Sequence, residues 1–166
     1  MRPRGASTEE LELLYRSRFD GFLRVATAIT HDGDLGRDAV QAAFVSAVRG
    51  RRSFRGAGGG LDAWLWTMVL REARRLAGGE RHLPLDQVGE EAEVARDGNG
   101  SSDWEGIRRY IGALPQRQRE AIFLRYFADL DYGTIARVLG VEPGTVSATL
   151  SAAHQTLRKR LEAKTR

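Results

Sequence analysis

Apolar residues recur along almost the whole chain at the three- and four-residue spacing of a helix, and no stretch alternates like a β-strand. The first part of the chain shows this spacing over roughly Thr8–Thr30, Leu35–Arg49 and Leu61–Ala77, and the second part shows it from Trp104 onward. Apolar residues make up 42% of the chain, which is enough for a packed core. The sequence therefore predicts an all-α fold of two small helical domains.

Residues 80–103 separate the two predicted domains. They contain Pro84, several glycines and a net charge of −5, whereas residues 1–79 carry +4 and residues 104–166 carry +5. Because a segment of this composition cannot bury enough apolar surface to fold, we expect a flexible acidic linker. The basic residues of both domains are almost all arginine, which is compatible with nucleic-acid binding.

The composition argues against several other classes of protein. The chain has no cysteine, so it forms no disulfide or thiolate metal site. No apolar run approaches the ~18 residues of a membrane span, and the N-terminus lacks the apolar stretch of a signal peptide. His31, His82 and His154 are scattered, without a nucleophile–base pair or metal-ligand spacing. We expect a cytoplasmic protein that is not an enzyme, is not inserted in a membrane and needs no metal or cofactor.

The second domain is predicted to hold four helices. Pro115 suits the first turn of one of them, because its missing N–H is not needed there. The predicted ranges are roughly Trp104–Ala113, Pro115–Phe127, Tyr132–Leu139 and Gly144–Leu161.

The last two of these helices match a helix-turn-helix. In YGTIARVLGVEPGTV, Ala136, Gly140 and Val146 stand at relative positions 5, 9 and 15. A small residue lets the two helices approach, glycine adopts the turn conformation, and a branched apolar residue packs the second helix on the first. DNA-binding proteins place this second helix in the major groove. A helical hairpin without a ligand is the alternative.

The second helix of this motif combines an apolar stripe with an uncharged front. The stripe predicted to face inward consists of Val146, Leu150, Ala153, Leu157 and Leu161. The front is followed by Arg158 and consists of Thr145, Ser147, Ala148, Thr149, Ser151, Ala152, His154 and Gln155. These side chains can form hydrogen bonds, but none releases counterions as a lysine or arginine does at a phosphate. We expect weak DNA binding by this domain alone.

Longer motifs place the chain near a known family. LPQRQREAIFLRYFADLDYGTIARVLGVEPGTV resembles LPxRQRxxxxLRYxxxLsyxEIAxxLGvsxGTVxSR, the region 4 pattern of the extracytoplasmic-function (ECF, group 4) sigma-70 factors of bacterial RNA polymerase. LYRSRFDGFLRVATAIT, RDAVQAAFVSAV and FRGAGGGLDAWLW are similar to the helical segments of region 2 in that family. The resemblance implies promoter recognition, binding to the core polymerase and, often, a partner anti-sigma factor.

The resemblance also assigns roles in residues 1–79. Asp38 and Gln41 match the family's core-docking sequence DLVQE, while Ala42 replaces its acidic residue. The segment from Arg49 to Gly60 corresponds to the loop that captures a flipped base of the −10 element. Independently of the resemblance, the apolar spacing places Trp64 and Val48 on the inward faces of their helices, and Gly50 stands where a helix end favours glycine. The DNA-contact candidates here are Arg52, Phe54, Arg55, Trp66, Arg71, Arg74 and Arg75.

In region 4 the chain departs from the family. Where family members often read GTVKSRLHRAR, this chain reads GTVSATLSAAH, so the fold is expected to be preserved and the −35 reading surface weakened or altered. Arg117, Arg119, Arg125 and Arg137 are the candidates to hold phosphates instead. The leading hypothesis is a promoter-specificity subunit. One alternative is a sigma-like regulator that binds an anti-sigma factor or core polymerase without reading −35 DNA. Another is a one-domain helix-turn-helix repressor, which leaves residues 1–79 unexplained.

Overall fold

The computed structural model describes residues 5–56, 60–80, 107 and 109–164, without the side chains of residues 79 and 80. No described residue lies in a strand, so the all-α prediction is confirmed. The chain divides into two compact units, Met1–Ala95 and Arg96–Arg166. The predicted linker lies outside the described residues, apart from Glu80. The six helices with defined bounds are α1 (Thr8–Thr30), α2 (Gly33–Gly50), α3 (Gly60–Glu80), α4 (Gln116–Ile122), α5 (Tyr132–Leu139) and α6 (Pro143–Lys164).

Helix α1 begins and ends where its local chemistry requires. The side chain of Ser7 accepts a hydrogen bond from the Glu10 N–H at 3.1 Å, and the Ser7 N–H donates to the Glu10 carboxylate at 2.8 Å. His31 adopts the left-handed conformation with φ 58°, and its N–H bonds to the Thr27 carbonyl. Asp32 then caps α2 by accepting from two backbone N–H groups. Because Asp32 is the cap, α2 begins at Gly33, slightly before the predicted start.

Helix α2 ends at Gly50, as predicted, but its end lacks a left-handed cap. Gly50 has φ −88°, not a left-handed value, and the chain continues directly into a 3₁₀ turn over Arg51–Ser53. Val48, expected inside, is exposed, as is Val45. The segment predicted to capture a base therefore begins as a 3₁₀ turn, and its residues 57–59 lie outside the described residues.

The core of the first unit is aromatic and corrects the assignment of α3. Trp66, predicted to be free to stack on DNA, is 1% exposed, and its ring lies 4.5 Å from that of Phe22. No described residue accepts a hydrogen bond from its indole nitrogen. Trp64, predicted in the core, is only half-buried and contacts Phe54. Helix α3 is apolar on more than half of its circumference, so its spacing alone could not decide which tryptophan faces inward.

Helices α1 and α2 approach closely at Gly36. An ideal Cβ placed there would lie 2.5 Å from the Thr27 Oγ1 atom and 2.8 Å from the Thr27 backbone nitrogen. Only a residue without a side chain fits at this distance. Gly36 therefore sets how near the two helices can pack.

In the second unit, the predicted helix over Pro115–Phe127 is wrong in two respects. Pro115 precedes α4 as its N-cap with ψ 146°, so it is not in the first turn. After Ile122 the backbone changes to a π turn over Phe123–Phe127, in which the Ala128 N–H donates to the Phe123 carbonyl at 3.2 Å. Of the helix predicted before α4, residues 107 and 109–112 are helical, and residues 104–106 lie outside the described part.

The helix-turn-helix geometry agrees with the predicted spacing. Asp131 caps α5 by accepting a 2.8 Å bond from the Thr134 N–H and a 3.0 Å bond from its hydroxyl. These two bonds lower the pKa of Asp131, so the cap stabilises the fold above the ordinary pKa of aspartate and is lost as the pH falls. Gly140 ends α5 with φ 67°. The Val141 N–H then donates to the Ala136 carbonyl at 2.9 Å.

The apolar stripe of α6 is shorter than predicted. Val146 is 1% exposed, and Leu150 and Ala153 are also buried, so these three residues pack the helix on its unit. Leu157 is half-buried and Leu161 is 42% exposed, which corrects the expectation that the stripe continues to Leu161. None of the helices in the described part of the chain is both long and apolar enough to cross a bilayer.

Candidate nucleic-acid interface

The front of α6 presents small polar groups to solvent. Ser147, Ala148, Ser151 and Gln155 are exposed and share one side of the helix by their spacing. Arg158 follows the same side one turn further and is the first charged group on it. The structure thus brings four of the eight predicted front residues together on one exposed strip.

Three predicted front residues lie at the margins of this strip. Thr149 is half-buried, and its hydroxyl donates to the Thr145 carbonyl at 2.7 Å within the helix. Ala152 is also half-buried. Thr145 is exposed but points away from Ser147 by the helical repeat. These positions flank the centre of the exposed surface.

His154 makes a contact that the sequence did not reveal. Its Nε2 atom lies 2.9 Å from the hydroxyl of Tyr126, and the two rings meet edge to face with centroids 5.7 Å apart. Tyr126 belongs to the π turn and is 58% exposed. It is separated from His154 by 28 positions, so no spacing along α6 could indicate it.

Two of the arginines predicted to hold phosphates are half-buried and donate to backbone carbonyls of the second unit. Arg119 is half-buried and donates to the Gly112 carbonyl at 2.9 Å, and its burial lowers the pKa of its guanidinium. Arg125 donates to the Leu130 carbonyl at 3.0 Å and lies over the Tyr132 ring. These hydrogen bonds hold the backbone at Gly112 and at Leu130 in place.

The other two predicted arginines are exposed but also hold internal bonds. Arg117 donates to the Leu139 carbonyl at 3.5 Å, and Arg137 donates to the Thr134 hydroxyl at 3.0 Å. At the far end of α6, Arg160 donates to the Tyr110 carbonyl at 3.2 Å. Arg158 and Lys159, which are both exposed, are the basic groups of that helix nearest its front.

In the first unit, the segment after α2 presents an aromatic group beside two arginines. The ring of Phe54 packs on that of Trp64 with centroids 5.3 Å apart. Arg52 and Arg55 on either side of Phe54 are exposed. An aromatic ring beside exposed guanidinium groups can stack a base and hold its phosphates.

The N-terminal residues fix the turn that carries Phe54. The Ala6 N–H donates to the Arg51 carbonyl at 2.9 Å, and Ala6 is buried. A Cβ at Gly5 would lie 2.7 Å from the Arg51 carbonyl oxygen and 2.8 Å from the Arg52 Cα atom. Gly5 thus lets the chain lie directly against the turn.

Helix α3 carries the three predicted arginines on its exposed side. Arg71, Arg74 and Arg75 are all exposed. Glu72 accepts from Arg75 at 2.8 Å and lies 3.7 Å from Arg71. Its carboxylate reduces the positive charge of the cluster and orders two of the arginines.

Helix α2 carries a mixed stripe. Asp38 and Gln41 are exposed, and the same side continues through Val45, 48% exposed, and Val48, 39% exposed. Neither valine was predicted on the surface, although their separations of seven and ten residues from Asp38 place them on its side of the helix. Asp38, Gln41, Val45 and Val48 therefore form one exposed stripe of mixed polarity on α2.

No three His, Cys, Asp or Glu side chains of the described segments cluster where they could hold a metal ion.

The family described as "Sigma-70 region 2" matches residues 14–81, and that described as "Sigma-70, region 4" matches residues 104–157. The chain is 28% identical to the RNA polymerase sigma-H factor of Pseudomonas aeruginosa, across 92% of this chain and 84% of that protein. It is 28% identical to the ECF RNA polymerase sigma-E factor of Escherichia coli K12, across 75% and 73%.

Two solved structures share the fold. CnrH, solved in complex with the cytosolic domain of CnrY, has a TM-score of 0.72 and 20% identity, covering 95% of this chain and 91% of that chain. The sigma factor RpoE of Bartonella quintana, solved with the anti-sigma factor NepR, has a TM-score of 0.70 and 23% identity, covering 93% and 98%.

Proposed function

Because the chain belongs to the extracytoplasmic-function group of the sigma-70 family, we propose that its two units divide the recognition of a promoter between them. The chain is a sigma factor for promoter-specific transcription initiation, and its family is not an enzyme family. In this proposal residues 1–79 bind the core polymerase and the −10 element, and residues 104–166 bind the −35 element. Residues 80–103 join them. The protein acts in the cytoplasm and contributes binding, with no catalytic residue of its own.

The observation that carries the assignment of −35 binding is the geometry of α5, Gly140 and α6. The left-handed Gly140 and the buried Val146 hold the two helices as a helix-turn-helix, while Ser147 and Ser151 remain exposed. This is the arrangement that places a second helix in a major groove. In the first unit, the Phe54–Trp64 ring pair with Arg52 and Arg55 supports capture of an unstacked base.

An anti-sigma factor is part of the proposal. The fold is shared with a sigma factor solved in complex with an anti-sigma factor. The stripe on α2 formed by Asp38, Gln41, Val45 and Val48 offers polar and apolar groups together, as a docking surface for core polymerase requires. An inhibitor that covered this stripe would compete with the polymerase. Nothing in the comparisons favours a regulator that lacks −35 reading.

Transcription in vitro tests the function. The full chain is added to core RNA polymerase with a library of genomic fragments, and transcript 5′ ends are sequenced. We expect discrete start sites preceded by shared −10 and −35 motifs that are absent without the chain. If an active core polymerase gives no transcript that depends on the chain, the proposed function is wrong.

A charge placed on the α2 stripe is expected to weaken binding to core polymerase. Val45→Asp buries a carboxylate at the docking surface, and we expect roughly tenfold weaker binding, about 1.4 kcal/mol, which is more than most interface residues contribute. The measurement is titration of fluorescently labelled chain with core polymerase. Leu13→Asp is the matched control, because Leu13 is 69% exposed on α1 and outside the stripe. Equal losses from both variants would contradict docking through the stripe.

Adding one methyl group at Gly5 is expected to impair promoter opening. Gly5→Ala forces the turn that carries Phe54 to move, at an overpacking cost of about 1–3 kcal/mol. If about 1.4 kcal/mol of this overpacking cost weakens base capture, promoter opening is reduced roughly tenfold. Permanganate reactivity of thymines near −10 measures it, while binding to core polymerase stays unchanged.

Gly78→Ala is the control for this variant, because a Cβ at Gly78 meets nothing within 4 Å. Unaltered permanganate reactivity in Gly5→Ala holoenzyme would show that the N-terminal contact does not position the turn.

A further inference from the structure

Tyr126 and His154 form a polar pair at one edge of the exposed surface of α6. We propose that this pair is an uncharged anchor for a DNA phosphate of the −35 element, in the place where family members carry a basic residue. The inference rests on the proposed function, since it requires that α6 meets −35 DNA.

The chemistry of the pair leaves one proton donor free in either tautomer of the neutral ring. If the Tyr126 hydroxyl donates to Nε2, the Nδ1–H of His154 remains available. If Nε2–H donates to the Tyr126 oxygen, the hydroxyl proton of Tyr126 remains available. A phosphate oxygen accepts either proton, and hydroxyl and imidazole groups are common phosphate partners. The proposal therefore does not depend on which tautomer is present.

The contact fixes the pair in position before DNA arrives. The 2.9 Å hydrogen bond and the edge-to-face ring contact at 5.7 Å restrain both side chains. Both remain accessible, since Tyr126 is 58% exposed and His154 is exposed. A donor already held in place loses less conformational freedom on binding than a free lysine or arginine.

The position of the pair favours phosphate over a base edge. By the helical repeat, His154 shares its side of α6 with Ser147 and Arg158, between the buried stripe and the centre of the exposed surface. Ala148 and Gln155 occupy that centre, where a helix in the major groove meets the bases. The margin of such a helix faces the sugar–phosphate backbone.

The test uses the full chain bound to core RNA polymerase. The probe is a fluorescein-labelled duplex selected from a random-sequence pool by the wild-type holoenzyme. We expect Tyr126→Phe and His154→Ala each to weaken binding roughly tenfold, as loss of a hydrogen bond to a charged group does. The salt dependence should stay unchanged, because no charge is removed. The double variant should bind no more weakly than either single variant, since the pair acts as one unit.

A charged replacement separates this role from a purely structural one. His154→Lys should retain binding and steepen the slope of log affinity against log salt by about 0.9, the value for one added phosphate contact. Tyr110→Phe is the matched control, because the Tyr110 carbonyl accepts from Arg160, which lies about a third of a turn around α6 from His154.

The outcomes distinguish a failure of the phosphate anchor from a failure of the proposed function. A wild-type holoenzyme that selects no duplex would contradict the proposed function. Selection of a duplex with full affinity retained in Tyr126→Phe, or with additive losses in the double variant, would overturn the phosphate anchor alone. Thermal unfolding followed by circular dichroism confirms that each variant keeps its fold.

Discussion

Gly36→Ala is expected to destabilise the first unit more than any other single methyl addition considered. The new Cβ would lie 2.5 Å from the Thr27 Oγ1 atom, 2.8 Å from its nitrogen and 2.9 Å from its Cα atom. A side-chain atom can rotate away, but the backbone of α1 can move only if the two helices separate. Separation opens the core around Phe22, which is fully buried. Overpacking of this kind costs about 1–3 kcal/mol and occasionally more.

Such a cost is a large part of the stability of a unit of this size, because small domains bury a small share of their surface. We expect a lower melting temperature by circular dichroism and a parallel loss of core-polymerase binding. Gly33→Ala is the matched control, since it lies in the same helix and a Cβ there meets nothing within 4 Å. Alanine in a helix is favoured over glycine by roughly 0.5–1 kcal/mol, so this control should be neutral or slightly stabilising. Equal melting temperatures of the two variants would contradict the close approach of α1 and α2 at Gly36.

The parts of the fold that were predicted correctly depend on neighbouring residues in the chain. The boundary between α1 and α2 lies within two residues of the prediction, because His31 ends one helix and Asp32 caps the next. The helix-turn-helix follows from Ala136, Gly140 and Val146, because one turn sets the distances between all three. In both cases, the geometry is local and the spacing determines it.

The errors arose where the outcome depends on a distant element. Whether Trp64 or Trp66 enters the core depends on how α3 is rotated against α1. In the structure it is Trp66 that packs against Phe22. The run of apolar residues on both sides of α3 fits either rotation. The Tyr126–His154 contact likewise depends on the π turn, which brings the tyrosine against α6. The base-capture role of Phe54 stays a prediction, although its ring pairs with Trp64.

Charges restored to the front of α6 are expected to produce the largest gain in DNA binding. Ser147 and Ser151 are exposed on the side that carries Arg158, and a family pattern places a basic residue at the position of Ser147. Thr149 is a poorer choice, because it is half-buried and bonded to the Thr145 carbonyl. The double variant Ser147→Lys with Ser151→Arg should therefore place two new charges near the −35 phosphates.

Each new phosphate contact steepens the slope of log affinity against log salt by about 0.9, so two contacts steepen it by roughly 1.8. The double variant should bind the selected duplex much more tightly at low salt, and the advantage should shrink as counterion release loses its entropic gain at high salt. Holoenzyme binding titrated across salt concentrations measures it. Leu13→Arg with Ser17→Lys adds the same charge to exposed positions of α1 and should leave the slope nearly unchanged. If the α6 variant keeps the wild-type slope, this face of the helix does not meet phosphate, and promoter affinity must come from the first unit and the polymerase.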